Sequence, residues 1–264
     1  MTSHGADGTA YDLSGPPDAP AVVLIHGLGL CREIWELYVP ALASRFRVLS
    51  YDLYGHGESA PPQAPATLKT FASQIAGLMD ETGILHASIV GFSIGGMINR
   101  RFAMDYPDRT RGLVILNSPH DRGAKAQAMV EARAAKVRDQ GVMATLDDAL
   151  IRWFTPAFRT GGVGPAKVRN WRARVDPESY AQAAWVLANG VRELIRPKPP
   201  LNLPTLVMTC QNDSGSTPAM SLDIAAEIPG ADVDIIPDLQ HLGLMEDVDA
   251  FLGPITEFLE RNVS

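Results

Sequence analysis

Ala87-Ser88-Ile89-Val90-Gly91-Phe92-Ser93-Ile94-Gly95-Gly96 joins a short apolar run to a serine set between two glycines and then to the start of a helical spacing. The run Ala87 to Val90 has the length and β-branched content of a strand buried on both faces. From Ile94 to Tyr106 apolar residues recur at helical intervals. A chain passing from strand to helix through G-x-S-x-G must turn sharply, and the serine at the apex is held in a strained backbone conformation. The residues two before and two after it must be small, and Gly91 and Gly95 are. The turn presents the Ser93 hydroxyl at a sheet edge, at the positive end of a helix. The alternative is a Gly-Ser-Gly turn that merely links a strand to a helix. Gly96 reads as a position that lets the helix pack closely.

Working outward, Ala21 to Ile25, Arg47 to Tyr51, Leu113 to Leu116, Thr205 to Thr209 and Val233 to Ile236 are further strand candidates. Leu68 to Thr82 and Ala250 to Arg261 have helical spacing, with Phe71, Ile75, Leu78 and Met79 on one face of the former. Strands alternating with helices predict an α/β fold, a doubly wound and mostly parallel sheet with right-handed crossovers and a site at the carboxyl ends of its strands. Between about His120 and Pro200 the alternation stops. Helical patterns over Ala124 to Gln140, Val142 to Trp153, Ala166 to Arg174 and Pro177 to Leu194 predict a helical lid inserted in the core. The organisation is then 1–119 and 201–264 for the core, with 120–200 as the lid.

A serine nucleophile needs a base, an acid to orient it, and donors for the oxyanion. Beyond the last strand, His241 follows Pro237-Asp238-Leu239-Gln240 and is the candidate base. Asp213, directly after Thr205 to Thr209, is the candidate acid, because loops after the last two strands meet at the sheet edge. Asp238 is its rival and otherwise a turn former. After the first apolar strand, His26-Gly27-Leu28-Gly29 folds back over the sheet, so the N–H groups of Leu28 and Ile94 form the expected oxyanion hole. His26 ends a buried strand and reads as a residue holding that loop. His120, beside Asn117 and Ser118, is placed to reach substrate. In the lid, Trp153 and Trp185 are candidate substrate contacts, with Phe154, Trp171 and Tyr180 as further aromatics. Arg122, Arg133, Arg152 and Arg172 lie in or near the same segment, where spacing fixes no side-chain direction.

The 264 residues carry 30 acidic and 23 basic side chains, a net charge of −7, and no Lys/Arg block, which argues against nucleic acid as a partner. The first twenty residues lack the basic and apolar parts of a signal peptide. No apolar run approaches the ~20 residues of a membrane span, so a cytoplasmic protein is expected. Two cysteines, Cys31 and Cys210, fit that compartment, and neither has a local cysteine–histidine pattern. The chemistry outlined requires no cofactor and no metal.

These residues together resemble the α/β-hydrolase superfamily, and within it the group of 3-oxoadipate enol-lactonases and related esterases. The resemblance spans nearly the whole chain. It rests on His26-Gly27, on Tyr51-Asp52 leading into Gly55-His56-Gly57-Glu58-Ser59, on Gly91 to Met97, on Tyr106-Pro107-Asp108-Arg109, on Asn212-Asp213 with Thr217-Pro218, and on His241. The sequence departs from the lactonase pattern at Tyr54, where arginine is common, and at His26. The resemblance implies a serine hydrolase acting on a small ester or lactone. A carbon–carbon bond hydrolase or perhydrolase is the alternative within the fold, and a ligand-sensing protein that has lost turnover is the alternative outside catalysis. Serine at position 93 sets the chain apart from dehalogenases and epoxide hydrolases, which attack with aspartate.

Overall fold

The computed structural model describes residues 2–262. Its strands are β1 (Ser3–His4), β2 (Ala10–Ser14), β3 (Ala21–Ile25), β4 (Arg47–Tyr51), β5 (Ala87–Phe92), β6 (Thr110–Leu116), β7 (Thr205–Cys210) and β8 (Asp232–Ile236). They form one sheet in the order β1-β2-β4-β3-β5-β6-β7-β8, parallel from β4 through β8 and antiparallel at β1 and β2. The central strands are apolar throughout because both faces are covered. Along β3, Val23 and Ile25 enter one core with Ile89 of β5, while Val22 and Leu24 enter the other with Val90.

The N-terminal strands β1 and β2 are not among the strand candidates of the sequence. β2 is short and only half buried, so it lacks the apolar run that marks the central strands, yet it pairs with β4 from Tyr11 opposite Tyr51 to Ser14 opposite Val48. Arg32 strengthens that edge, its Nε donating to Asp12 Oδ2 at 2.7 Å while its guanidinium also meets Asp52 and Glu58.

The helices are α1 (Val39–Leu42), α2 (Leu68–Glu81), α3 (Ile94–Asp105), α4 (Gly123–Gln140), α5 (Leu146–Trp153), α6 (Pro156–Gly161), α7 (Val163–Ala173), α8 (Pro177–Asn189), α9 (Pro218–Ala226), α10 (Gly243–Glu246) and α11 (Val248–Asn262). On one face of the sheet, Phe71, Ile75, Leu78 and Met79 of α2 pack beside Ile98 and Phe102 of α3. On the other, Phe251, Ile255, Phe258 and Leu259 of α11 pack with Trp35. The helix starts follow local chemistry. Thr67 caps α2, its hydroxyl accepting from Thr70 N–H, and Thr217 caps α9 in the same way.

Helices α4 to α8 fill the interval between β6 and β7. The sequence reading has no helix between Trp153 and Ala166, and α6 lies in that interval. Gly162, in the left-handed region at φ 77°, ends α6 and begins α7, and Pro165 falls in the first turn of α7, where its missing N–H has no intrahelical partner to lose. The five helices form two packed groups. Ala134 and Val137 of α4 cluster with Tyr180, Ala184 and Ala188 of α8. Leu146, Leu150, Phe154, Val168 and Trp171, of α5, α7 and the turn after α5, instead join the core on the α11 face.

Candidate active site

Strand β5 delivers the chain to Ser93, whose φ of 58° and ψ of −113° are a strained combination for a residue with a side chain. Close approach fixes the glycines around it. A Cβ on Gly91 would stand 2.2 Å from the carbonyl oxygen of Gly95, and one on Gly95 would stand 2.6 Å from that of Ile25. Gly96 lies against the side chain of Ser118, whose Cβ an added methyl would meet at 2.6 Å.

The loops after β7 and β8 bring Asp213 and His241 to this turn. His241 Nε2 is 3.2 Å from Ser93 Oγ, and His241 Nδ1 is 2.6 Å from Asp213 Oδ2. Asp213 Oδ2 also accepts from Asn117 Nδ2 at 2.9 Å, while Oδ1 accepts from the backbone N–H groups of Gly215 and Ser216 at 2.8 and 2.9 Å. Burial works to raise the Asp213 pKa, but the neighbouring His241, its hydrogen bond and the Asn117 and Ser216 donors outweigh it and hold the carboxyl below its ordinary value. Asp238 stands apart, exposed at a left-handed turn with φ 60°.

Asn117 is the residue sequence reasoning passed over. It ends β6 at φ 46°, fully buried, with its amide aimed at Asp213. A polar residue at the carboxyl end of a buried strand was the available signal.

Leu28 lines the pocket, and the Leu28 and Ile94 N–H groups donate to no other group among the described residues. His26 holds the loop beneath them. Its Nδ1–H donates to Gly27 O at 2.7 Å and its Nε2 accepts from Leu53 N–H at 2.9 Å, so both ring nitrogens are engaged by the backbone. Burial lowers its pKa to about 4, and burial together with the adjacent His26 lowers that of His56 to about 3.

This buried pair has a consequence for stability. Unfolded, both rings take a proton below about pH 6.5; folded, they stay neutral until about pH 4 and about pH 3. Acid therefore favours the unfolded chain in that window, by about 1.4 kcal/mol per pH unit for each histidine. Denaturant midpoints measured from pH 7.5 downward should begin to fall near pH 6.5, before the carboxylates titrate. Asp213, with its depressed pKa, adds a further loss at lower pH as it protonates. A flat profile between pH 7 and pH 5 would contradict the two neutral buried rings.

The pocket over Ser93 holds about 920 Å³ of free space, its open mouth included. Trp153 forms part of its wall with its ring 5.9 Å from that of His241, and Tyr180 forms another part. Two expected substrate contacts lie elsewhere. His120 turns away from the pocket, its Nε2 3.0 Å from Glu227 Oε1, and Pro119 stands on the pocket wall. Trp185 is 51% exposed because Tyr180, Ala184 and Leu187 form the inward face of α8 and position 185 falls on the opposite one. Both cysteines are buried and free, and burial drives the Cys31 thiol far up and that of Cys210 up to about 12, which disfavours a thiolate at either. Among the described residues no three His, Cys, Asp or Glu side chains gather as metal ligands, and no helix is long and apolar enough to cross a membrane.

The chain is similar to known proteins over nearly its whole length. A family model described as alpha/beta hydrolase fold matches residues 20–248. The 3-oxoadipate enol-lactonase 2 of Acinetobacter baylyi is 27% identical over 253 residues, covering 95% of this chain and 92% of the relative. Among solved structures, the enol-lactonase from Burkholderia xenovorans LB400 superposes with a TM-score of 0.88 at 30% identity, covering 98% of this chain and 100% of the other. A thermophilic esterase from Thermogutta terrifontis superposes with a TM-score of 0.85 at 27% identity, covering 100% and 99%.

Proposed function

The chain belongs to the α/β-hydrolase fold family, and from that premise we propose that it hydrolyses a carboxylic ester or lactone of a small molecule through an acyl-enzyme on Ser93. The observation that carries this reading is the unbroken line from Ser93 Oγ through His241 to Asp213, in a pocket that Leu28 also lines.

In this mechanism His241 Nε2 takes the hydroxyl proton as Ser93 Oγ attacks the acyl carbon. The carbonyl oxygen becomes negative and is met by Leu28 N–H and Ile94 N–H, the latter at the start of α3. The imidazolium then gives its proton to the departing alkoxide. Water, deprotonated by the same histidine, releases the acid. Asp213 keeps the Nδ1–H of His241 directed at itself and balances the transient charge. Similarity to two enol-lactonases and an esterase supports the ester or lactone class.

A shared acyl-enzyme is testable without knowing the natural substrate. Esters with one acyl group and different alcohols should partition between water and added hydroxylamine in a single ratio, because both nucleophiles meet the same intermediate. A ratio that changed with the leaving alcohol would rule out that intermediate. Cleavage of vinylogous diketones in place of esters and lactones would favour carbon–carbon bond hydrolysis.

A further inference from the structure

The pocket wall is unbalanced in charge. Arg122, Arg133, Arg152 and Arg172 all line it, and among the described residues the sole acidic side chain on the wall is Asp213, already engaged by His241. Two of the four guanidinium groups are committed to the fold. Arg122 donates to Leu187 O at 3.0 Å. Arg172 donates to Val142 O at 3.2 Å and lies over the ring of Tyr180 at 4.4 Å. Among the described residues, Arg133 and Arg152 make neither a hydrogen bond nor an ion pair, and both are half-buried.

These two come from different halves of the inserted helices. Arg133 is on α4, in the α4–α8 group, and Arg152 is on α5, in the group packed against the α11 face. They face the same pocket across the seam between the groups, and each is close enough to matter electrostatically. The charge of Arg152, after burial, depresses the pKa of Arg133, and Arg152 itself, lowered chiefly by burial, feels the charge of Asp213. Two half-buried cations that repel each other, with no carboxylate in hydrogen-bond contact and only the more distant charges of Asp213 and Asp148 to offset Arg152, are costly unless an anion joins them. A guanidinium fork is suited to a carboxylate or phosphate.

We propose that Arg133 and Arg152 bind one anionic oxygen group of the substrate, a carboxylate or a phosphate, across this seam. The ester or lactone cleaved at Ser93 is then a charged molecule, and its anion draws the two helical groups together over the pocket. The proposal rests on the hydrolase reading for its bond-breaking half and stands on the arginines for its binding half.

The two halves separate in one set of experiments. The mono-p-nitrophenyl ester of glutarate and the p-nitrophenyl ester of pentanoate match in acyl length and differ in charge. The wild-type protein should favour the charged ester in kcat/KM by about tenfold to a hundredfold, the worth of hydrogen bonds to a charged group. The preference should shrink as salt is raised. In Arg133→Gln/Arg152→Gln the ratio should fall towards one, whereas Arg133→Lys should retain part of it. Glutarate and inorganic phosphate, each added alone, identify the anion: the one that fits should raise the wild-type Tm and compete with the charged ester, and neither should shift the Tm of the folded double variant. If neither ester is cleaved but an anion raises the Tm, the hydrolase reading fails while the anion site holds. A wild-type ratio near one, or no Tm response to either anion, would overturn the proposal, and both measurements need no variant to fold.

Discussion

Ser93→Ala and His241→Ala should each lower kcat by about four or more powers of ten while the fold stays intact by near-UV circular dichroism. Ser93 belongs to neither apolar core, whereas the His241 ring lies 5.1 Å from that of Phe92 and 5.9 Å from that of Trp153, so His241→Ala should also lower Tm. Ser93 Oγ meets only His241 Nε2, at 3.2 Å, and the strained backbone at position 93 is set by the clasp of Gly91 and Gly95, which alanine leaves unchanged. The expected loss is large because the proton of the attacking hydroxyl has one acceptor within reach. Without the serine there is no acyl-enzyme; without the histidine the serine stays protonated. The groups act as a unit, so Ser93→Ala/His241→Ala should be about as impaired as either single variant. Residual turnover would come from water attack aided by the Leu28 and Ile94 donors. Substantial activity in soluble Ser93→Ala, checked against a contaminating esterase by covalent labelling with a fluorophosphonate, would remove Ser93 as the nucleophile.

How much of this was legible in the sequence depends on whether one side chain or a whole environment carried the signal. Strands β3, β5, β6 and β7 are buried on both faces, and that environment writes itself as apolar runs that need no partner to be recognised. β2 is half buried at an antiparallel edge, and its Ala10 to Ser14 shows no such run. The position of Ser93 followed from a turn that few sequences satisfy, while Asp213 and His241 followed from where loops meet once the sheet is parallel. Directions inside the helical insertion were out of reach. Trp153 and Trp185 are both tryptophans on helices, and one or two positions of helix rotation separate a pocket wall from solvent. His120 was misplaced for a related reason: its ring pairs with Glu227, just after α9, a partner 107 residues away that no local pattern announces.

Asp213→Asn should reduce kcat by roughly four powers of ten, whereas Asp238→Asn should leave it within a few-fold of wild type. The hydrogen bonds around Asp213 determine which way a replacement amide would lie. Oδ1 receives two backbone donors, Gly215 N–H at 2.8 Å and Ser216 N–H at 2.9 Å, so the amide oxygen of asparagine must take that place. Its NH2 group is then forced into the position of Oδ2, facing both His241 Nδ1 and the Asn117 amide that donates to Oδ2 at 2.9 Å. His241 can meet an NH2 donor only by accepting at Nδ1, which puts its own proton on Nε2, against Ser93 Oγ. That tautomer cannot take the serine proton, and an amide carries no charge to balance an imidazolium. Asp238 has none of these partners, is exposed, and sits at φ 60°, a region asparagine adopts readily. Steady-state kinetics on the two purified variants, each with its Tm, decide between them. Should Asp238→Asn prove the more damaging in a folded protein, the orienting carboxylate would have to be sought in the His241 loop instead of after β7.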